Sequence, residues 1–469
     1  MKNLKLLFTS IFILAIYPIY AQQTKTDSVL SFSLKEAQDY GEKNAYKNTN
    51  ADVDINIAKK KVSQITALGF PQINASVKYQ NYIDIPTQLM PDFLTPAVEG
   101  VLVGHGLITP AEMTGSSGGK FPIQFGSKHN FTADITASQL IFDGSYIVGL
   151  QAAKAFVELS SNSYTKSVYE VKESVAQAYY LVLVAQENKS ILDSTLINLD
   201  KILNDTKKYL ENGFIEETDV DQLRILVSTI TNKLNMVDRQ IEIAFNLLKF
   251  QMGIDLSRQI VLTDKLNDMI IQSVSENLVS KEFDYKKHID YKLLQTTETL
   301  SMLNLKKDKF GYLPSMSCFI TTSRNAQRSE FDFFKKDKDW YKTTIFGIGL
   351  SLPIWDSGIK HFKIQQDNLE LEKTRTLQKQ LQQALELDVQ NSRSTLKTYT
   401  DQYQSDLNNM QLAKKIYNKT IIKYNEGIST SLELTQTYNQ YLTSQGTYFG
   451  TVLELLKSKS NLNKALNNY

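Results

Sequence analysis

Apolar residues recur at three- and four-residue spacing along most of this chain, and in four short stretches they alternate with polar ones. The first spacing predicts helices, the second strands with two unlike faces. A helix is expected over 33–68, opened by Ser33 as N-cap before LKEA and stopped by Gly69 and Pro71. Strands are expected over 71–85 and 130–142. In the first, Ile73, Ala75, Val77 and Tyr79 oppose Asn74, Ser76, Lys78 and Gln80; in the second, Phe131, Ala133, Ile135 and Ala137 oppose Thr132, Asp134, Thr136 and Ser138. A proline-free helix follows over 146–210, and another over 218–250. The order then returns as helix 281–309, strands 312–322 and 343–354, helix 358–424 and helix 431–465. Met316, Cys318 and Ile320 share one face of the third strand, and Phe346, Ile348, Leu350 and Leu352 one face of the fourth.

The return is a duplication. YLENGFIEETDVDQLRIL (209–226) and YNEGISTSLELTQTY (424–438) both carry a helix to a glycine, turn, meet an acid six places on and become helical again. SQLIFDGSYIVGLQAAK (138–154) and LSLPIWDSGIKHFKIQQ (350–366) repeat the strand-to-helix junction. One repeat spans 22–250 and the other 281–469, with 251–280 as a linker or equatorial segment of indistinct pattern. At about 1.5 Å per residue, a helix of about 65 residues is roughly 100 Å long, and two shorter helices end to end match it. Four such struts per chain are expected. Ile359, Phe362, Ile364 and Leu369, then Leu377, Leu381, Leu385 and Val389, form a narrow apolar seam of coiled-coil type.

Past the N-terminus no apolar run is long enough for a membrane helix, so any membrane crossing falls to the strands. Four strands cannot close a barrel, and an open edge cannot stand in lipid. Three chains supply twelve. The stretch 86–130, with prolines at 86, 91, 96, 110 and 122, reads as a long exposed loop at the outer mouth.

Composition removes several classes. Lys+Arg number 52 and Asp+Glu 50, without a basic block, so nucleic acid is not an expected partner. The four histidines, at 105, 129, 288 and 361, lack metal-ligand spacing, and no cofactor is expected. One cysteine, Cys318, excludes an internal disulfide. Residues 1–21, with Lys2, Lys5, an apolar core and Ala21, have the pattern of a signal peptide. Glu216 and Glu217 sit on a turn without nucleophile or oxyanion donors, and an enzyme is not expected.

With these features in place the chain resembles the TolC-type outer-membrane efflux proteins. The resemblance rests on LKEAQDYGEKNAYKN (34–48), GFPQINASVKY (69–79), the two junctions, and the turns ENGFIEETDVDQL (211–223) and NEGISTSLELTQ (425–436). It implies a mainly α fold with a β-barrel part: a homotrimer with a twelve-stranded transmembrane barrel in the cell outer membrane of a Gram-negative bacterium, continued by an α-helical barrel in the periplasm. It implies partners as well: a periplasmic adaptor (membrane fusion) protein and an inner-membrane pump of RND, ABC or MFS type. Gly213 and Gly427 then lie at the periplasmic turns where adaptors dock. The candidate pore gate is Glu433, Gln436, Asp219, Asp221 and Ser429, with Lys423 a further closing contact. The family carries a second acid three residues past the first, where this chain has Gln436. It carries a basic residue two past the glycine, where this chain has Ser429. Cargo is open between small molecules (drugs, detergents, metal ions) and secreted peptides or proteins. A secreted trimeric fibre is the reading from a different class, and the amphipathic strands and the duplication argue against it.

Overall fold

The computed structural model describes residues 29–114, 120–124, 126–275 and 278–469; the expected signal peptide, 1–21, lies outside them. In chain order the elements begin with β1 (Leu30–Phe32), α1 (Leu34–Asn44), α2 (Tyr46–Ala67), β2 (Gln72–Asn81), β3 (Thr87–Pro91), α3 (Leu94–Gly104) and β4 (Lys120–Gln124). They continue with β5 (His129–Phe142), α4 (Gly144–Glu211), α5 (Glu217–Met252), β6 (Ile260–Leu262), α6 (Leu266–Ser275) and α7 (Ile289–Phe310). They end with β7 (Ser315–Arg328), β8 (Tyr341–Ser351), α8 (Ile359–Asn425) and α9 (Ser431–Ala465). Two compact units result, and they are not the two sequence repeats. One takes the chain up to Ala51, Tyr164–Ile289 and Gln383–Tyr469; the other takes Asp52–Ser163 and Asp290–Gln382. Each draws on both repeats. Among the described residues no helix is long and apolar enough to cross a membrane.

The first unit is helical and has two main cores. One gathers Val175, Tyr179, Leu248, Met252, Val452 and Leu456. The other gathers Leu192, Leu199, Leu223, Ile230, Leu434 and Tyr438 from α4, α5 and α9. The described residues of segment 251–280 pack into the first core. Its strand β6 pairs in parallel with β1, and Ile254, Ile260, Leu266 and Ile270 join the first core. Tyr179 fastens this region: its hydroxyl lies 3.0 Å from the Phe32 carbonyl oxygen and 3.0 Å from Asp264 Oδ2, which also accepts Leu34 N at 2.7 Å. Short strands of three residues give no readable period, which is why the pattern there is indistinct.

The single helix expected over 33–68 is two. Ser33 does cap the first, in a reciprocal box with Glu36, but Ala45 is extended (φ −59°, ψ 133°) and separates α1 from α2. A distant glycine packs against this break. Gly253 ends α5 in the left-handed region (φ +74°), and a Cβ there would stand 2.2 Å from the Asn44 carbonyl oxygen. Gly253→Ala is therefore expected to lower stability by more than the ~1–2 kcal/mol of the left-handed backbone alone. A thermal melt matching the parent's would remove this account of the contact. The helix expected over 281–309 likewise starts later, at Ile289. Asp284 takes Lys286 N at 3.0 Å and holds 285–287 in a 3₁₀ turn, a local alternative to helix that short acids favour.

The second unit carries a four-stranded antiparallel sheet in the order β2-β5-β7-β8. Strand β7 outruns its expected 312–322 end, because SRNAQR keeps pairing with β5 as far as Arg328 opposite His129. The following loop is correspondingly shorter than 323–341. The described residues of stretch 86–130 carry regular structure: β3 and β4 pair antiparallel, and α3 follows β3. Three of its prolines occupy positions that tolerate them. Pro96 sits in the first turn of α3, and Pro91 and Pro122 lie in a two-stranded ribbon that has only edges.

The duplicated junctions are helix caps. Asp143 Oδ1 accepts Tyr146 N at 2.9 Å at the start of α4. Asp356 accepts Gly358 N and Lys360 N, each at 3.1 Å, at the start of α8. The apolar seam along α8 divides. Leu385 and Val389 are buried within the chain, but Ile359, Phe362, Leu369 and Leu377 are exposed. The residues α8 buries in that upper stretch are Asp367, Leu371 and Thr374. The helix thus has two stripes there, and the more apolar one has no cover in the single chain.

Candidate functional site

The two helical hairpins turn on Gly213 and Gly427, and the backbone geometry is the same in both. Their φ values are +75° and +72°. Gly213 N donates to Leu210 O and Phe214 N to Tyr209 O, both at 2.9 Å; Gly427 N donates to Tyr424 O at 3.0 Å and Ile428 N to Lys423 O at 2.8 Å. This pair of bonds closes a helix whose next residue is left-handed. A Cβ on either glycine would meet nothing within 4 Å, so backbone conformation alone calls for glycine. The residue after each glycine projects: Phe214 is 77% and Ile428 75% exposed.

Between the two turns lies a cavity of ≈ 530 Å³, whose lining includes Asp219, Tyr424, Ser429 and Ser431. Ser431 Oγ donates to Asp219 Oδ1 at 2.5 Å, with Gln222 Oε1 2.8 Å away. This contact joins the start of α9 to the start of α5, one repeat to the other. Thr206 Oγ1 and the Tyr424 hydroxyl, 3.0 Å apart, join α4 to α8; burial, more than any other cause, pushes the Tyr424 hydroxyl above the usual phenol range. Glu433 is held from its own turn. Ser429 Oγ donates to its Oε2 at 2.6 Å, and its backbone N–H donates to the cap Thr430 at 3.2 Å.

The expected gate residues therefore separate. Asp219 and Ser429 are in the cavity wall, and Asp219 is a cross-repeat contact. Glu433 and Gln436 are exposed on α9 one turn apart. Asp221 is turned to Arg224 of its own helix at 2.8 Å. Lys423 contributes its carbonyl oxygen to the turn. Sequence reasoning missed Ser431 and Gln222. A signal for the first existed: Thr430-Ser-Leu-Glu433 is a capping sequence, Thr-x-x-Glu, that fixes where α9 begins.

The sheet is the second functional region. Its register aligns Tyr79 with Phe131, Ala75 with Ile135, Ile135 with Thr322, Ile320 with Phe346, Cys318 with Ile348 and Met316 with Leu350. Phe131, Ile135, Phe346, Ile348 and Leu350 hence share one face. Lys78, Asp134 and Ser351 point to the other, where Ser76 Oγ donates to Asp134 Oδ2 at 3.3 Å. The polar face does hold Phe319, whose ring lies over Gly347 at a distance no side chain there would allow (2.6 Å to a built Cβ). Strands β2 and β8 are the sheet's edges, each paired on one side only.

The sequence model of the family described as "Outer membrane efflux protein" matches residues 115–253 and 311–468. The chain is 25% identical over 385 residues to the "Probable efflux pump outer membrane protein TtgC" of Pseudomonas putida, covering 80% of this chain and 75% of that one. It matches the "Antibiotic efflux pump outer membrane protein ArpC" of Pseudomonas putida to the same extent. Among solved structures it is similar to CusC (TM-score 0.67, 14% identity, 96% of this chain and 95% of that one). It is similar also to the Campylobacter jejuni CmeC outer membrane channel (TM-score 0.65, 16% identity, 96% and 90%).

Proposed function

Since the chain belongs to the outer membrane efflux protein family, a family of transport proteins and not of enzymes, we propose that it is the outer-membrane exit duct of a tripartite pump that exports small molecules. The observation that carries this reading is the sheet: four antiparallel strands, apolar on one face, with both edges unpaired. In lipid such edges must pair. Three copies close twelve strands, with Phe131, Ile135, Phe346, Ile348 and Leu350 against the acyl chains and Lys78, Asp134 and Ser351 toward the lumen. The uncovered stripe of Ile359, Phe362 and Leu369 on α8 supports the same closure, since a neighbouring copy would cover it.

The helical unit then stands in the periplasm, with Gly213 and Gly427 at its tip. Phe214 and Ile428, exposed at matching places, are the contacts for a periplasmic adaptor, and an inner-membrane pump of RND, ABC or MFS type supplies the energy. The names of the relatives, which include an antibiotic pump and a toluene pump, support small hydrophobic molecules as cargo over secreted peptides. A trimeric fibre has no use for a sheet with one apolar face. The test is envelope fractionation with gel mobility before and after heating, joined to dye retention in a strain lacking the protein. A detergent-requiring trimer in the outer membrane and raised dye retention are expected. A soluble monomer, or normal dye retention with a secreted protein held back, overturns the reading.

A further inference from the structure

Arg324 of β7 and Lys342 of β8 stand directly opposite each other in the sheet. Arg324 is also aligned with Ala133, and Ala133 with Val77, so both cations lie on the apolar face. Both are exposed, and among the described residues neither has an ion-pair partner within 4.0 Å. Like charges directly opposite across an antiparallel pair repel, with Cβ atoms about 4.5–5.5 Å apart. Among the described residues no carboxylate within 4.0 Å offsets this.

Their height is informative. From Leu350 to Lys342 is eight residues of strand, about 27 Å at ~3.4 Å per residue. At a tilt of about 40° that is roughly 20 Å, near the upper limit of an apolar band about 25 Å tall. The next row is aromatic: Tyr79 and Phe131, with Ala326 fully buried beside them. The β7–β8 loop folds onto this row. Phe333 packs 5.4 Å from Phe131 and 6.2 Å from Tyr79, and Trp340 lies 5.5 Å from Phe131. Within the loop Arg328 Nε lies 3.5 Å from Asp332 Oδ1, and the Arg328 guanidinium donates to the Asp339 carbonyl oxygen.

We propose that Arg324 and Lys342 together bind the phosphate of an anionic lipid headgroup in the outer leaflet, with the aromatic row as its wall. The Arg fork and the Lys ammonium suit phosphate oxygens, and both long apolar stems can lie along the sheet while the charged ends reach the headgroup level. A phosphate between them turns a repulsive pair into an attractive triad. The apolar rows below, Ile320 with Phe346 and Cys318 with Ile348, receive the acyl chains. A free phosphate ion would share the charge contact but not the chains.

This inference rests on the apolar face being the lipid face. The test compares delipidated trimers of the parent and of Arg324→Gln/Lys342→Gln in detergent, with lipid A, phosphatidylglycerol or inorganic phosphate added. Lipid A is expected to raise the parent's trimer melting by several degrees and to be retained in native mass spectrometry. The variant should melt no lower than the parent without lipid, because the repulsion is gone, and should bind lipid A at least tenfold more weakly. Equal retention by both proteins overturns the proposal, and inorganic phosphate reproducing the whole shift overturns the lipid as ligand. A nitroxide on Cys318, the chain's one cysteine, separates the two layers of inference. If the label is in water, the face reading itself fails. If it is in lipid while lipid A binds both proteins alike, only the phosphate site fails.

Discussion

Ile348→Arg is expected to destabilise the assembled barrel by about 1–3 kcal/mol, whereas Ser317→Arg should change it by well under 1 kcal/mol. The two positions are nearly level. Ile348 is opposite Cys318, and Ser317 is opposite Gly349, one residue along each strand. Because side chains alternate, a shift of one residue moves the charge from the apolar to the polar face. On the apolar face the guanidinium is inside the band but in its lower part, about 5 Å above the Leu350 row, with Leu350 and Met316 flanking it below and Phe346 and Ile320 above. On the polar face it has water and, with Gly349 opposite, room. Trimer melting in detergent, and the yield of folded trimer from the envelope, read both effects. Equal losses at the two positions would falsify the face assignment.

The faces were legible because alternation needs no distant information. The residues assigned to lipid from each strand separately fall on one face once the register joins the strands. The two turns were legible for the same reason: a glycine between long helices specifies a left-handed cap. What escaped depends on contacts far apart in sequence. The break at Ala45 packs against Gly253, and nothing in YGEKNAYK marks it. Segment 251–280 folds by pairing Ile260 with Leu30, across 230 positions. The extension of β7 through polar SRNAQR is fixed by β5 and not by its own pattern. Arg324 and Lys342 were also unreadable singly; their meaning comes from standing opposite each other. At the tip, Asp219 and Glu433 hold corresponding places in the repeats yet do different things. Asp219 meets Ser431 of the other hairpin, while Glu433 is held by Ser429 of its own turn. Sequence correspondence gave the positions, and the neighbours gave the roles.

That difference separates two substitutions. Asp219→Ala removes the acceptor for Ser431, and the start of α5 loses its tie to the start of α9, so a tip that is shut at rest should open more readily and single-channel conductance should rise. Glu433→Gln should leave the tip's shape intact, because an amide oxygen still accepts from Ser429 Oγ and the Thr430 cap does not involve the carboxylate. Its effect is electrostatic. In a trimer Glu433 recurs three times about one axis on an exposed helix face. Three unit charges about 7 Å from a passing cation attract it by roughly 1–2 kcal/mol even at water-like permittivity, before screening. That corresponds to a cation preference of about five- to thirtyfold, and a narrow low-dielectric mouth strengthens it. Gln436, one turn on, adds no second ring, so block by multivalent cations should be moderate. Planar-bilayer recording of the parent and Glu433→Gln decides the matter. The expected result is cation preference reduced severalfold at unchanged conductance and unchanged trimer melting. Retained selectivity would confine Glu433 to its place in the first turn of α9, where a carboxylate contributes about 0.3–1 kcal/mol to the helix, and would put the constriction at the Asp219–Ser431 contact instead.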